Sequence, residues 1–66
     1  MKVGLIGAGR IGAFHAKNLV SMDGVTSLFI ANGDFEKAKR VAKDIGAQAL
    51  PDVSALLKEV DALVIA

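Results

Sequence analysis

The sequence has 66 residues, 53% of them apolar, with no cysteine and a formal net charge of +1. A chain of this length is one small domain, near the size at which burial only just outweighs chain entropy, and without cysteine no disulfide or thiolate metal site can staple it. Its scattered charges leave no footprint for nucleic acid, and no stretch reads as a membrane span or a signal peptide, so a soluble, cytoplasmic chain is expected.

Val3 to Ile6 is an almost continuous apolar run ending at Gly7, the pattern of a strand buried on both faces. From Arg10 to about Met22 the period becomes helical. The wheel places Ile11, Phe14, His15, Asn18, Leu19 and Met22 inward, and Ala13, Lys17 and Val20 outward. Asp23-Gly24 breaks the pattern, and Val25 to Ala31 reads as a second strand. After the Asn32-Gly33-Asp34 turn, Asp34 caps a helix from Phe35 to Ile45 that Gly46 ends. Phe35, Ala38, Val41, Ala42 and Ile45 are its inward residues. Ala47 to Leu50 reads as a short edge strand bounded by Pro51. Asp52 then caps a brief helix over Val53 to Lys58, and Asp61 to Ala66 is a last apolar strand.

This alternation of strands and helices argues an α/β fold with a parallel sheet and crossover helices. Right-handed crossovers from a central first strand give the order 3-2-1-4. The first two helices then cover one face and the third partly covers the other. The carboxyl ends of the first and fourth strands diverge at the switch point, where such sheets bind ligands.

Gly7, Gly9 and Gly12 have the spacing of a dinucleotide-binding loop, and they sit between a strand and a helix, as that loop requires. Gly7 makes the turn out of the strand, Gly9 lets a pyrophosphate approach the backbone, and Gly12 lets the helix pack closely. Amides at the helix N-terminus meet the anion. Arg10, beside Ile11 in the same loop, reads as a charge-assisted contact to the pyrophosphate or adenosine, with a solvated side chain at the helix start as the alternative. The competing reading is a plain strand-to-helix turn.

The stretch "GAGRIGAFHAKNL" resembles the start of the Gfo/Idh/MocA family of NAD(P)-dependent sugar and polyol dehydrogenases, whose N-terminal domains read like GxGRIGxxHxxNL. "ANGDFEKAKRVAKDIGAQALPDVSALLKEVDALVIA" fits the same family's pattern, so the resemblance covers the whole chain. It implies that residues 1–66 are the N-terminal part of a dinucleotide-binding domain, a truncated Rossmann-like sheet without the substrate domain. The implied function is to hold the cofactor pyrophosphate at the Gly7–Gly12 loop of an inositol-type dehydrogenase. The family's "TP" loop, its catalytic lysine and its substrate domain fall outside these residues, so no catalytic residue is assigned.

Asn32 departs from the family pattern. It lies 20 residues beyond Gly12, where relatives usually carry an Asp that binds the adenosine ribose. Asn keeps one carbonyl acceptor but loses the charge. Asp34 and Glu36 follow it and would repel a 2′-phosphate, which favours NAD over NADP. A turn-forming Asn-Gly pair is the alternative reading of the same residue. His15 reads as a core histidine. Asp23, Asp34, Glu36, Asp44, Asp52, Glu59 and Asp61 fall at caps, turns and wet faces and make no acid/base pair.

Two further readings concern partners. Leu63, Val64 and Ile65 would leave an apolar sheet edge open, so a homodimer is expected through the Asp61–Ala66 strand or the open sheet face. An engineered or minimal Rossmann fragment, acting only as a folding and assembly unit, is the alternative to cofactor binding.

Overall fold

A computed structural model describes residues 1–7 and 10–65, with the backbone alone for residues 10–14. The elements are β1 (Lys2–Ile6), α1 (Arg10–Val20), β2 (Ser27–Ala31), α2 (Phe35–Ile45), β3 (Gln48–Leu50), α3 (Val53–Glu59) and β4 (Ala62–Ile65). The strands form a parallel sheet in the order β3-β2-β1-β4. This is the order that right-handed crossovers require of a central first strand. No helix among the described residues is long and apolar enough to cross a membrane.

Alternation along the strands builds two cores of unequal size. Val3, Leu5, Leu28 and Ile30 point to one face, where they meet Ala16 of α1 and Ala38 and Ala42 of α2. Among the described residues these alanines are the buried positions of the two helices, with Leu19, Val20, Val41 and Ile45 packed around them. On the opposite face Phe29 and Ala31 pack with Leu56, flanked by Ile6, Leu50 and Val60. Gly4 belongs to this second face. A Cβ added there would stand 3.0 Å from Cγ and Cδ1 of Leu56 and 3.1 Å from Cγ1 of Val60. The missing side chain therefore sets how closely α3 can seat on the sheet.

The caps of α2 follow the local chemistry. The Asp34 carboxylate accepts the Lys37 N–H at 3.2 Å, satisfying one of the first-turn donors that have no partner within a helix. Gly46 takes the left-handed conformation at φ 75°, and its N–H turns back to the Ala42 carbonyl. The Ala47 N–H reaches that same carbonyl at 2.9 Å. In α3 the Asp52 carboxylate accepts the Ala55 N–H at 2.8 Å.

The far end of the sheet is closed by polar bonds. The Asp61 N–H donates to the Lys2 carbonyl at 2.7 Å, and the Asp61 carboxylate accepts the Lys2 N–H at 2.9 Å. Beyond this clamp, β4 pairs with β1 from Val3↔Ala62 to Ile6↔Ile65.

Several expectations need correction. Helix α1 stops at Val20, and Ser21 and Met22 continue as a turn bonded to the carbonyls of Asn18 and Leu19. His15, Asn18 and Met22 are exposed, whereas Ala16 is buried and Val20 half-buried. The buried stripe runs through the smallest side chain, and residues one position away are turned from it by about 100°. The side chains of Ile11, Ala13 and Phe14 lie outside the described residues. Phe35 is exposed as well. Its ring lies beneath the Lys39 ammonium, 4.9 Å from the centroid, at the i,i+4 spacing that stacks neighbours on a helix. Strand β2 starts at Ser27, and just before it the Thr26 N–H and Oγ1 both donate to the Met1 carbonyl. The third helix extends one residue further, to Glu59, and Ala66 lies outside the described residues.

Two substitutions test these packing and capping arguments. Gly4→Ala should lower unfolding stability by roughly 1–3 kcal/mol, the usual cost of overpacking a filled core. Denaturant unfolding with Leu56→Ala as partner should show the two changes coupled rather than additive. Gly46→Ala meets no steric neighbour, so its cost of about 1–2 kcal/mol comes from the left-handed backbone alone. Gly46→Asn should recover part of that loss, as seen in the melting temperature.

Candidate nucleotide site

All strands of a parallel sheet end on the same edge, so the segments that follow them converge there. After β1, β2 and β3 they enclose a cleft of about 280 Å³. Ile6 and Gly7 line it from β1, residues 31–33 from β2, and residues 51–53 from the start of α3. Ile6, Ala31, Pro51 and Val53 give it apolar surface. Asn32 and Asp52 bring an amide and a carboxylate. The volume sits at the lower end of small-molecule sites, which run to about 300–1,000 Å³.

Gly7 turns the chain out of β1 at φ 99°. A side chain at that angle is strained by roughly 1–2 kcal/mol, which explains the residue type. The Gly7 N–H donates to the Ala31 carbonyl at 2.9 Å, one step past the Ile6↔Ala31 pair. This amide belongs to the sheet and is not free to meet an anion.

Asn32 follows directly on β2. Its Nδ2 donates to the Asp34 carbonyl at 3.3 Å, and the Asp34 carboxylate caps α2. The residue is therefore both the turn former and a cleft-lining group. One Nδ2 hydrogen is used inside the turn, and Oδ1 is the side chain's acceptor for a hydroxyl.

Of the residues singled out in the sequence, Gly7 and Asn32 come together at one cleft. Gly9 lies outside the described residues, as do the side chains of Arg10 and Ile11. Gly12 falls in the first turn of α1. The crevice expected between the first and fourth strands borders Ala66, which is also outside the described residues. The described cleft lies on the other side of β1, over β2 and β3.

His15 is on the exposed side of α1 and is not a core histidine. Sequence reasoning overlooked Gly33, Pro51, Asp52 and Val53 as lining residues. The available signal was positional: in a parallel sheet, whatever follows any strand reaches the same edge as the glycine loop.

Comparison with known proteins agrees with this architecture. The model for an oxidoreductase family with an NAD-binding Rossmann fold matches residues 1–66. A UDP-N-acetylglucosamine 3-dehydrogenase from Acidithiobacillus ferrooxidans is 40% identical over 63 residues, covering 96% of this chain and 20% of the relative. Its solved structure superposes with a TM-score of 0.84 over 100% of this chain and 20% of that one, at 38% identity. A myo-inositol dehydrogenase from Corynebacterium glutamicum gives 0.82 at 34% identity, over 98% and 20% of the two chains. A glutamyl-tRNA reductase from Methanopyrus kandleri gives 0.76, also at 34% identity, over 97% and 16%. The chain thus spans about a fifth of the length of the dehydrogenases that it matches. From the glycine turn, the 3-2-1-4 sheet and the match along its whole length, the chain belongs to the Gfo/Idh/MocA oxidoreductase family, with an NAD-binding Rossmann fold.

Proposed function

We propose that this chain is the adenosine-side half of a nicotinamide dinucleotide site in a cytoplasmic sugar or polyol dehydrogenase, and is not catalytic by itself. The observation that carries the reading is the cleft shared by Gly7 and Asn32 at the carboxyl ends of the strands. The adenosine takes that cleft, with the ribose hydroxyls toward Oδ1 of Asn32 and the base against Pro51 and Val53. The pyrophosphate takes the loop from Gly7 to Gly12, with Gly9 permitting close approach and Arg10 and Ile11 beside it. Because the Gly7 amide is held by Ala31, the anion is left to the amides that follow it. When bound, the nicotinamide of such a cofactor supplies hydride acceptance or donation.

NAD is favoured over NADP. Asn32 offers the ribose a neutral acceptor, and Asp34 and Glu36 place negative charge on the segment that follows. The substrate class rests on the dehydrogenase relatives. The glutamyl-tRNA reductases share the same domain, so substrate choice is assigned to parts of such enzymes beyond it.

A second reading is self-association through β4. Leu63 and Ile65 are 38% and 74% exposed on this edge strand, where a two-fold axis would pair two copies antiparallel. Light scattering should then show a dimer that Ile65→Lys disperses; a wild-type monomer at high concentration would eliminate this reading.

Amide NMR titration with NAD and then NADP tests the cofactor reading. Saturable shifts at Gly7, Asn32 and Gly33 are expected, with tighter binding of NAD. Asn32→Asp should tighten NAD binding by about threefold to tenfold, the worth of one charge-assisted hydrogen bond. No shifts at millimolar nucleotide would reduce the loop to architecture and leave the chain as a folding unit.

A further inference from the structure

We infer that Asp52 is a specificity residue, one that keeps a second phosphate out of the adenosine cleft from the side opposite the turn after β2. The inference rests on the adenosine reading of the cleft given above. It concerns a residue on a different segment from the position usually associated with cofactor choice.

The sheet register carries the argument. β2 and β3 are adjacent parallel strands, and Ala31 pairs with Leu50. Neighbouring strands lie about 4.8 Å apart, so the chain leaves the sheet at two adjacent points. Asn32 is the first residue beyond one exit and Asp52 the second beyond the other, and both line the same cleft. A ribose whose hydroxyls meet Asn32 would place its 2′ substituent in a cleft that Asp52 also lines.

Capping holds this charge in place. The carboxylate accepts the Ala55 N–H at 2.8 Å, while the Asp52 carbonyl accepts the Leu56 N–H at 3.2 Å. The first turn of α3 thus has its own anion, and a ligand phosphate would have to displace or approach it. A ribose hydroxyl carries no charge and meets no such penalty. Asn32 alone, being neutral, would reject a 2′-phosphate poorly. Asp34 and Glu36 act from the turn after β2, and Asp52 adds repulsion from the opposite wall.

The test compares adenosine 5′-monophosphate with adenosine 2′,5′-bisphosphate, two probes that differ only in the 2′-phosphate. Their dissociation constants are measured by NMR titration of the wild-type protein and of Asp52→Asn and Asp52→Ser. Both replacements remain good helix caps, and the Ala55 and Leu56 amide signals report whether α3 persists. Asp44→Asn is the control. Asp44 is exposed near the C-terminal end of α2, and a crossover helix runs back from the strands' carboxyl ends, so this charge sits at the other end of the sheet.

Both Asp52 variants should bind the bisphosphate about threefold to tenfold more tightly relative to the monophosphate, the scale of unit charges interacting across a solvated cleft. The wild-type preference should shrink as salt is raised, and that of the variants should change less. An unchanged ratio in both variants, or an equal change in Asp44→Asn, would overturn the inference while leaving the adenosine site intact. Failure of the wild type to bind the monophosphate would overturn both.

Discussion

Strand β1 pairs in register with β2 on one side and β4 on the other, and helices cover both of its faces. That double enclosure is the constraint from which the remaining geometry follows. It demands an apolar or absent side chain at each enclosed position, and Val3, Gly4 and Leu5 meet the demand in turn. The residue with no side chain matters as much as its neighbours. By leaving room for Leu56, Gly4 lets α3 settle against the sheet, and the start of α3 then forms one wall of the cleft.

The same enclosure aims the chemistry. A parallel sheet gathers its carboxyl ends on one edge, so the residues after β1, β2 and β3 meet although the sequence separates them widely. Gly7 is held to this edge by its bond to Ala31. Asn32 is held through the turn that Asp34 anchors to α2, and Asp52 through its cap on α3. These three cleft residues are thus each tied by a hydrogen bond to the backbone around them.

Much of this was legible in the residues because local and global signals agreed. In α2, Asp34, the spacing of Ala38, Val41, Ala42 and Ile45, and Gly46 all define the same helix. The strand order followed from crossover handedness. The inward face of α1 was not legible, since the buried position among its described side chains is Ala16, which carries little hydrophobic signal of its own. Phe35 misled for the opposite reason: a large ring looked like core, yet an ammonium four residues on covers it at the surface. The far wall of the cleft was missed because Pro51 and Asp52 already had sufficient roles as strand stop and helix cap. Gly9, Arg10 and Ile11 were read from motif spacing, and their side-chain geometry is outside the described residues.

The pairing of Val3 with Ala62 has a kinetic consequence. Strand β1 is made first, finds β2 after a modest loop, and waits for β4 until nearly the whole stretch has been synthesised. Throughout that interval one edge of the central strand offers bare N–H and C=O groups to any extended segment nearby. Sheets dominated by such distant contacts fold slowly compared with helical bundles. The clamp between Asp61 and Lys2 lies at the point where that long loop closes.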